Sequence, residues 1–363
     1  MGGGLGHLNR AVSLARATAR YTTDSKAQSN PKTSDLPAPN GSKDECVQAG
    51  SLRFTIVSNS PYATSISVES EIGADHQFVQ LPENLNPTET AQRILQLITS
   101  SDYPAIIVDT FPRGLAGELA GILPNLNCRK ILIHRDLNPI YASKYDLHKF
   151  VMHYDRLIAP GEQGCLSALA HVISTPPWFN RDPQELLSPY EAKKLLEIES
   201  PDKSAIAIMG CGRKEECEQM RAFANRMALA LLDRAEVIFV SPNKRATLTH
   251  HSHRTTAAKA VSLWPFFQAI RGVDLIVGSG GYNTVNEARA AGIEYIGIPW
   301  ERLYDRQRTR LRASELALNL EDAKNLVMLK VESLKTGSAK APQFKNGVHQ
   351  TLAELCQLLT DDS

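Results

Sequence analysis

Several broad classes are excluded by what this chain does not contain. No apolar run approaches the roughly 20 residues that a helix needs to cross a bilayer. Glycines, not basic residues followed by an apolar run, come after Met1, so the N-terminus does not read as a secretory leader. The six cysteines (Cys46, Cys128, Cys165, Cys211, Cys217 and Cys356) are scattered, with no pair at CxxC spacing. That argues against a zinc knuckle or dithiol motif and for a reducing, cytoplasmic setting. Charge of one sign is also missing: 40 Lys plus Arg face 39 Asp plus Glu, a net charge of +1. A dedicated nucleic-acid binder would carry a basic excess. His250, His251 and His253 have no acidic or cysteine neighbour in sequence and read as a solvated loop rather than a metal site. One further absence is local. The glycine loop Gly2-Gly3-Gly4-Leu5-Gly6-His7 abuts Met1, where such a loop ordinarily hangs from a strand. The expectation is that the first strand is missing from this chain or that the start codon was assigned too late.

What is present suits a soluble globular protein, with 42% hydrophobic and 22% charged residues in 363. That length exceeds one ordinary core, so two domains are expected. Helical spacing of Leu8, Ala11, Val12, Ala15 and Ala19 follows the first glycine loop. Residues 22–51 are polar and read as a disordered surface insertion. Strands are then predicted at Phe54–Val57, Pro104–Asp109, Lys130–His134 and Arg156–Ala159, with helices at Thr88–Ile98 and Gly114–Ile122 between them. The Pro-rich stretch Ser174–Pro183 reads as an interdomain linker. A second alternating set follows, with strands at Ala205–Met209, Val237–Val240, Val273–Val277 and Glu294–Pro299. Asp305–Leu311 reads as the start of a basic helix, residues 335–345 as loose, and Val348–Leu359 as a closing helix. Strands alternating with helices mean parallel sheets. The expected boundaries are 1–175, 184–335 and a tail with a helix at 336–363.

Three glycine turns stand at helix starts: residues 2–6, Gly210-Cys211-Gly212, and Gly278-Ser279-Gly280-Gly281. Glycine lets the backbone approach a ligand, and a helix N-terminus seats an anion with unpaired N–H groups and its dipole. In doubly wound sheets ligands collect at the carboxyl ends of strands. Two facing domains would gather these turns around one cleft holding a phosphate-bearing ligand.

These motifs, with Gly280–Glu287 and Asp305-Arg306-Gln307, resemble those of family-28 glycosyltransferases. That family includes the bacterial enzyme that adds N-acetylglucosamine to the lipid-linked peptidoglycan precursor and the plant monogalactosyldiacylglycerol synthases. The resemblance implies a GT-B architecture: two Rossmann-like doubly wound domains facing an interdomain cleft. It implies inverting transfer of a hexosyl or N-acetylhexosaminyl group from a UDP-sugar to a hydroxyl acceptor, lipid-linked or glycan, with no metal or other cofactor and no nucleic acid. Carried over residue by residue, Glu287 holds the donor ribose and Gln307 the donor sugar. Gly280, Gly281, Asn283 and Thr284 lie near the diphosphate, with Gly210 and Gly212 in the second turn. Arg181, ending the linker, approaches the phosphates, and Leu263–Phe267 flank the base. On the acceptor side His7 is the matching base. Asp109 ends a strand in the same half, and Asp136 closes the segment His134-Arg135-Asp136. There the chain departs from the peptidoglycan enzyme's pattern, with arginine where an acid follows the histidine. The run Arg306, Arg308, Arg310 and Arg312 reads as a solvated helix face, with an anionic membrane surface or acceptor as the alternative. Rival functions on the same fold are a nucleotide-sugar hydrolase, a UDP-sugar 2-epimerase and a non-catalytic nucleotide-sugar binder.

Overall fold

A computed structural model describes residues 5–28, 52–169, 171–200, 202–243, 257–334 and 342–360. Gly2–Gly4, most of the polar insertion and the three histidines at 250–253 therefore lie outside the described residues.

The N-terminal half begins with helix α1 (Gly6–Gln28). It runs into the stretch expected as an insertion, so residues 22–28 are helical. Helix α1 buries two faces. Leu8, Val12 and Ala15 pack on Ile56 and on Val68 and Ile72. Leu14 and Ala17 pack on Ile131, Ile133 and Ile158. These two stripes join two separate sheets. Strands β1 (Thr55–Ser58) and β2 (Gln77–Gln80) form a parallel pair, with helix α2 (Val68–Ile72) between them in sequence. Strands β3 (Ala105–Asp109), β4 (Arg129–Ile133), β5 (Arg156–Pro160) and β6 (Val172–Thr175) form a parallel sheet in that order. Among the described residues β1 pairs only with β2, and β3 only with β4.

Helix α3 (Pro87–Thr99) forms as expected; Asn86 and Glu89 make a capping box at its start. The helix expected at Gly114–Ile122 does not form. Gly114 and Gly117 have φ of 92° and 90°, a left-handed backbone that breaks a right-handed helix. A 3₁₀ turn at Glu118–Ala120 stands there instead, followed by another at Leu123–Asn125. Between β4 and β5 the chain makes two short helices, α4 (Pro139–Lys144) and α5 (Leu147–Phe150).

The C-terminal half opens with α6 (Pro189–Leu195) and has five parallel strands: β7 (Ser204–Met209), β8 (Ala235–Ser241), β9 (Lys259–Ser262), β10 (Leu275–Ser279) and β11 (Glu294–Ile298). Their order is β11-β10-β7-β8-β9. Central β7 is buried throughout. Its alternate residues serve two cores: Ala205, Ala207 and Met209 on one face, Ile206 and Ile208 on the other. Helix α7 (Lys214–Ala230) places Met220, Phe223 and Met227 in the second core. Helix α8 (Tyr282–Ala291) follows the glycine turn Gly278-Ser279-Gly280-Gly281 and stops at Gly292, φ 67°. The basic helix expected from Asp305 is a single turn, α9 (Gln307–Arg310). Helix α10 (Leu320–Val331) covers β11.

The chain crosses between halves twice. The linker leaves β6 through Pro176–Asp182. After α10 the chain returns, and α11 (Gly347–Thr360) buries Val348, Leu352, Leu355 and Leu358 in the N-terminal core beside Trp178. The closing helix thus belongs to the N-terminal half. The two crossings touch: Asn346 Oδ1 accepts from Phe179 N–H at 3.0 Å, and Gly347 N–H donates to Pro177 O at 3.0 Å. A Cβ at Gly347 would overlap the Pro176 carbonyl, so only glycine fits.

Candidate active site

The carboxyl ends of β3, β7 and β10 converge on a cavity of ≈ 320 Å³ lined by both halves. Its size falls in the usual range for small-ligand pockets.

On the N-terminal wall, the first turn of α1 presents His7 and the end of β3 presents Asp109. His7 Nδ1 lies 2.7 Å from Asp109 Oδ2. Asp109 also receives Arg10, whose Nε and Nη2 donate at 3.1 and 2.7 Å. Desolvation would raise the Asp109 carboxyl, but Arg10 and then His7 outweigh it and hold it well below the usual carboxylate range. An ionised carboxylate only accepts, so in the neutral imidazole of His7 the proton sits on Nδ1 and the lone pair on Nε2. Thr110, next to Asp109, has φ 69°, unusual for a β-branched residue. Its hydroxyl donates to Asp109 Oδ1 at 3.1 Å. Backbone strain beside a convergent polar pair is common at working sites.

The opposite wall is α8. Tyr282, its first residue, is buried, and burial pushes its hydroxyl up to about 12. That hydroxyl donates to Pro160 O at 2.9 Å and accepts from Trp178 N–H at 3.2 Å. Two guanidiniums lie against its ring, Arg10 at 5.6 Å and Arg135 at 4.6 Å. Both arginines line the cavity, and Arg10 Nη1 and Arg135 Nε and Nη2 have no hydrogen-bond partner among the described residues. Arg310 hydrogen-bonds both Glu162 and Asp305, and Arg135 shares these carboxylates as looser ion pairs at 3.6 and 3.8 Å.

One turn into α8, Glu287 is buried, lines the cavity and has no partner among the described residues. Burial raises its carboxyl to about 7. Gln307 is also buried; its Oε1 accepts from Trp300 N–H at 3.0 Å, leaving Nε2 as a donor. Gly212, Gly281, Asn283, Thr284 and the segment Leu263–Phe266 line the same cavity, while Phe267 lies in the core beneath. The turn at Gly212 is fixed from the N-terminal half, where the Tyr62 hydroxyl accepts from its N–H at 3.0 Å. Cys211 lines the cavity, but burial, then Cys217 and Glu287, push its thiol up, so it is no nucleophile.

Several expectations need correction. Arg181 does not line the cavity. It makes a fork to Glu71 of α2 at 2.8 and 2.9 Å and reaches Gln268 at 3.3 Å, so its charge bridges the halves instead of facing phosphate. Gly210 and Gly280 are packing glycines. A Cβ at Gly210 would overlap the Phe239 ring, and one at Gly280 would come within 2.5 Å of Gln307 O. Asp136 lines the cavity, yet Arg306 holds both its oxygens at 2.5 and 3.0 Å, which disfavours it as a base. Arg306 and Arg310 are thus interdomain partners, and the basic run is not a solvated face at these two positions. His134 is fully buried, and burial lowers its imidazole to about 4, so it stays neutral. Sequence reading missed Arg10, Tyr62 and Tyr282. Arg10, three residues after His7 on one helix face, was the signal available.

No protein-family model matches the chain, and no curated protein does. Solved structures are similar in fold. The crystal structure of the glycotransferase of kitacinnamycin gives a TM-score of 0.53 at 10% identity, over 98% of this chain and 92% of that one. A putative UDP-N-acetylglucosamine 2-epimerase from Listeria monocytogenes also gives 0.53 at 10% identity, over 86% and 96%. MurG of Acinetobacter baumannii gives 0.46 at 14% identity, over 99% and 98%. The fold is GT-B: two Rossmann-like α/β halves with parallel sheets and a cleft between them. Among the described residues no helix is long and apolar enough to cross a membrane.

Proposed function

We propose that this chain is an inverting glycosyltransferase that moves a hexosyl or N-acetylhexosaminyl group from a UDP-sugar to an acceptor hydroxyl. The observation that carries the reading is the His7–Asp109 pair facing the Glu287-bearing helix across one cavity. His7 Nε2 takes the proton of the acceptor hydroxyl. The freed oxygen bonds to the anomeric carbon as the bond to the diphosphate breaks on the opposite face. Asp109 fixes the tautomer and offsets the imidazolium charge.

The departing diphosphate lies at the N-terminus of α8, where Asn283 and Thr284 present backbone N–H groups and Gly281, whose N–H donates to Ser279 Oγ, lets the chain come close. Arg10 and Arg135, which keep side-chain nitrogens without a hydrogen bond among the described residues although both are ion-paired, take the role first expected of Arg181. Glu287 receives the ribose hydroxyls, and Gln307 Nε2 donates to the sugar. These assignments are supported by burial, lining and missing partners.

The experiment is a thermal-shift screen of UDP and UDP-sugars, followed by assay of UDP release with and without acceptor alcohols. Stabilisation by UDP, with glycoside formed only when acceptor is added, is the expected result. Release of free sugar at the same rate without acceptor would reassign the chain as a nucleotide-sugar hydrolase. UDP binding with no turnover would leave a binding protein. The epimerase reading is disfavoured, because Asp109, Asp136 and Asp305 are all held by arginines.

A further inference from the structure

Beside His7 the cavity wall changes character. The His7 ring lies 5.6 Å from that of Phe111. Phe111 in turn meets Tyr304 at 5.4 Å and Tyr141 at 6.0 Å, both edge-on, and Tyr141 meets Tyr304 at 4.7 Å. Phe111 and Tyr304 line the cavity with His7. All three rings are only partly buried.

This wall is built by both halves. Phe111 follows β3 and Tyr141 sits in α4, whereas Tyr304 belongs to the C-terminal half. A strap brings Tyr304 across: Asn138 N–H donates to Tyr304 O at 2.9 Å, Leu137 bridges Asp305, and Arg306 grips Asp136. The Asn138 side chain donates to Leu303 O at 3.1 Å and accepts from Ile140 N–H at 3.0 Å. It thereby ties together the backbones of two residues whose apolar side chains are exposed, Leu303 at 70% and Ile140 at 75%. A single exposed leucine needs no explanation, but Leu303 also lines the cavity with Phe111 and Tyr304, and an exposed apolar side chain beside an aromatic wall does.

The charges next to the wall are matched internally. Asp136 pairs with Arg306, and Asp305 with Arg310. What remains for a ligand is ring faces, aliphatic edges and the hydroxyls of Tyr304 and Tyr141, beside the imidazole that takes the acceptor proton.

We infer that Phe111, Tyr304 and the Leu303–Ile140 rim form an acceptor shelf, and that the acceptor is an alcohol whose hydroxyl is borne on an apolar or aromatic ring. The ring lies on the shelf and its hydroxyl meets His7 Nε2. This rests on the glycosyltransferase reading and specifies its acceptor class. Because Tyr304 lies three residues before Gln307, one short segment would touch acceptor and donor sugar together. The shelf is complete only while the strap holds the two halves in contact.

The test uses the full chain saturated with UDP and 4-methylumbelliferone, an aromatic alcohol, as the probe. Binding is followed by probe fluorescence, and UDP affinity is measured calorimetrically on the same samples. Wild type is expected to bind the probe. Tyr304→Ala and Phe111→Ala each weaken it about tenfold, the scale of one lost aromatic contact, whereas Tyr304→Phe retains it. UDP bound normally with no probe binding, or probe binding indifferent to both alanine variants, overturns the shelf and leaves the donor reading standing. Probe bound without any UDP affinity does the reverse. Sedimentation with phosphatidylglycerol vesicles, lost in Ile140→Ser and accompanied by no probe binding, would reassign the rim to a membrane surface and overturn the inference.

Discussion

His7 Nδ1 and Asp109 Oδ2 stand 2.7 Å apart although 102 residues separate them in sequence. The contact exists because α1 starts, and β3 ends, at the same rim. Asp109 is at once the partner of His7 and the counter-ion of the buried Arg10. Removing either member therefore has a different signature.

His7→Ala should lower turnover by about two to four orders of magnitude, the usual contribution of a positioned general base. UDP affinity and Tm should stay near wild type. Asp109→Asn should lower turnover and also Tm, because Arg10 is only 2% exposed and loses its counter-ion. Steady-state kinetics with parallel thermal melts separate the two, and normal turnover in His7→Ala removes it as the base.

Glu287 gives a pH dependence of known sign. Its folded-state carboxyl is raised to about 7 by burial. Its favourable contribution to stability is therefore full below the unfolded carboxyl range and is lost as pH rises through 7. Ribose hydroxyls donate to the ionised form, so nucleotide binding should release a proton, and affinity should rise about tenfold from pH 6 to pH 8. Glu287→Gln carries the same phosphate titration of UDP without the carboxylate. Calorimetry at the two pH values should show the extra dependence vanish in it, and an identical pH profile would remove Glu287 from the site.

Arg181→Ala should destabilise the protein by about 1–3 kcal/mol, the range for removing a charged hydrogen-bond partner from a partly buried site. The loss comes from Glu71 and Gln268. UDP affinity should not change. A variant with normal Tm and weakened UDP binding would return Arg181 to the phosphates.

The two glycines of the 280–281 turn should respond differently to one added methyl. Gly280→Ala forces a carbon against the Gln307 backbone, which the Arg310 bond to Gly280 O holds in place, and should cost about 1–3 kcal/mol. At Gly281 the nearest atom is Ser279 Oγ at 3.2 Å, and the change should be small in Tm. Equal melts for the two variants would contradict the packing role of Gly280.

Local pattern carried eight of the eleven strands among the described residues; β2, β6 and β9 were not expected from it. Both faces of β7 and the turn into α8 are written in residues two apart and in glycine spacing, and both are local. Which residues line the cavity was legible where a residue's position depends on its own element, as with His7 and Glu287. It was illegible where the role depends on a partner from the other half. Nothing near Arg181 in sequence announces Glu71, and nothing near Arg306 announces Asp136. The glycines at 114 and 117 misled for a related reason, since composition does not reveal the sign of φ. Gly280 read as a ligand-facing glycine because the chain that fills its open side arrives 27 residues later.

The paired crossings at Phe179 and Asn346 carry a mechanical consequence. Two tethers pinned together at one point resist pulling the halves apart. The pairs Asp136–Arg306 and Glu162–Arg310 join the halves at a second place, beside the cavity, so parting them there would also strip four charges of their partners.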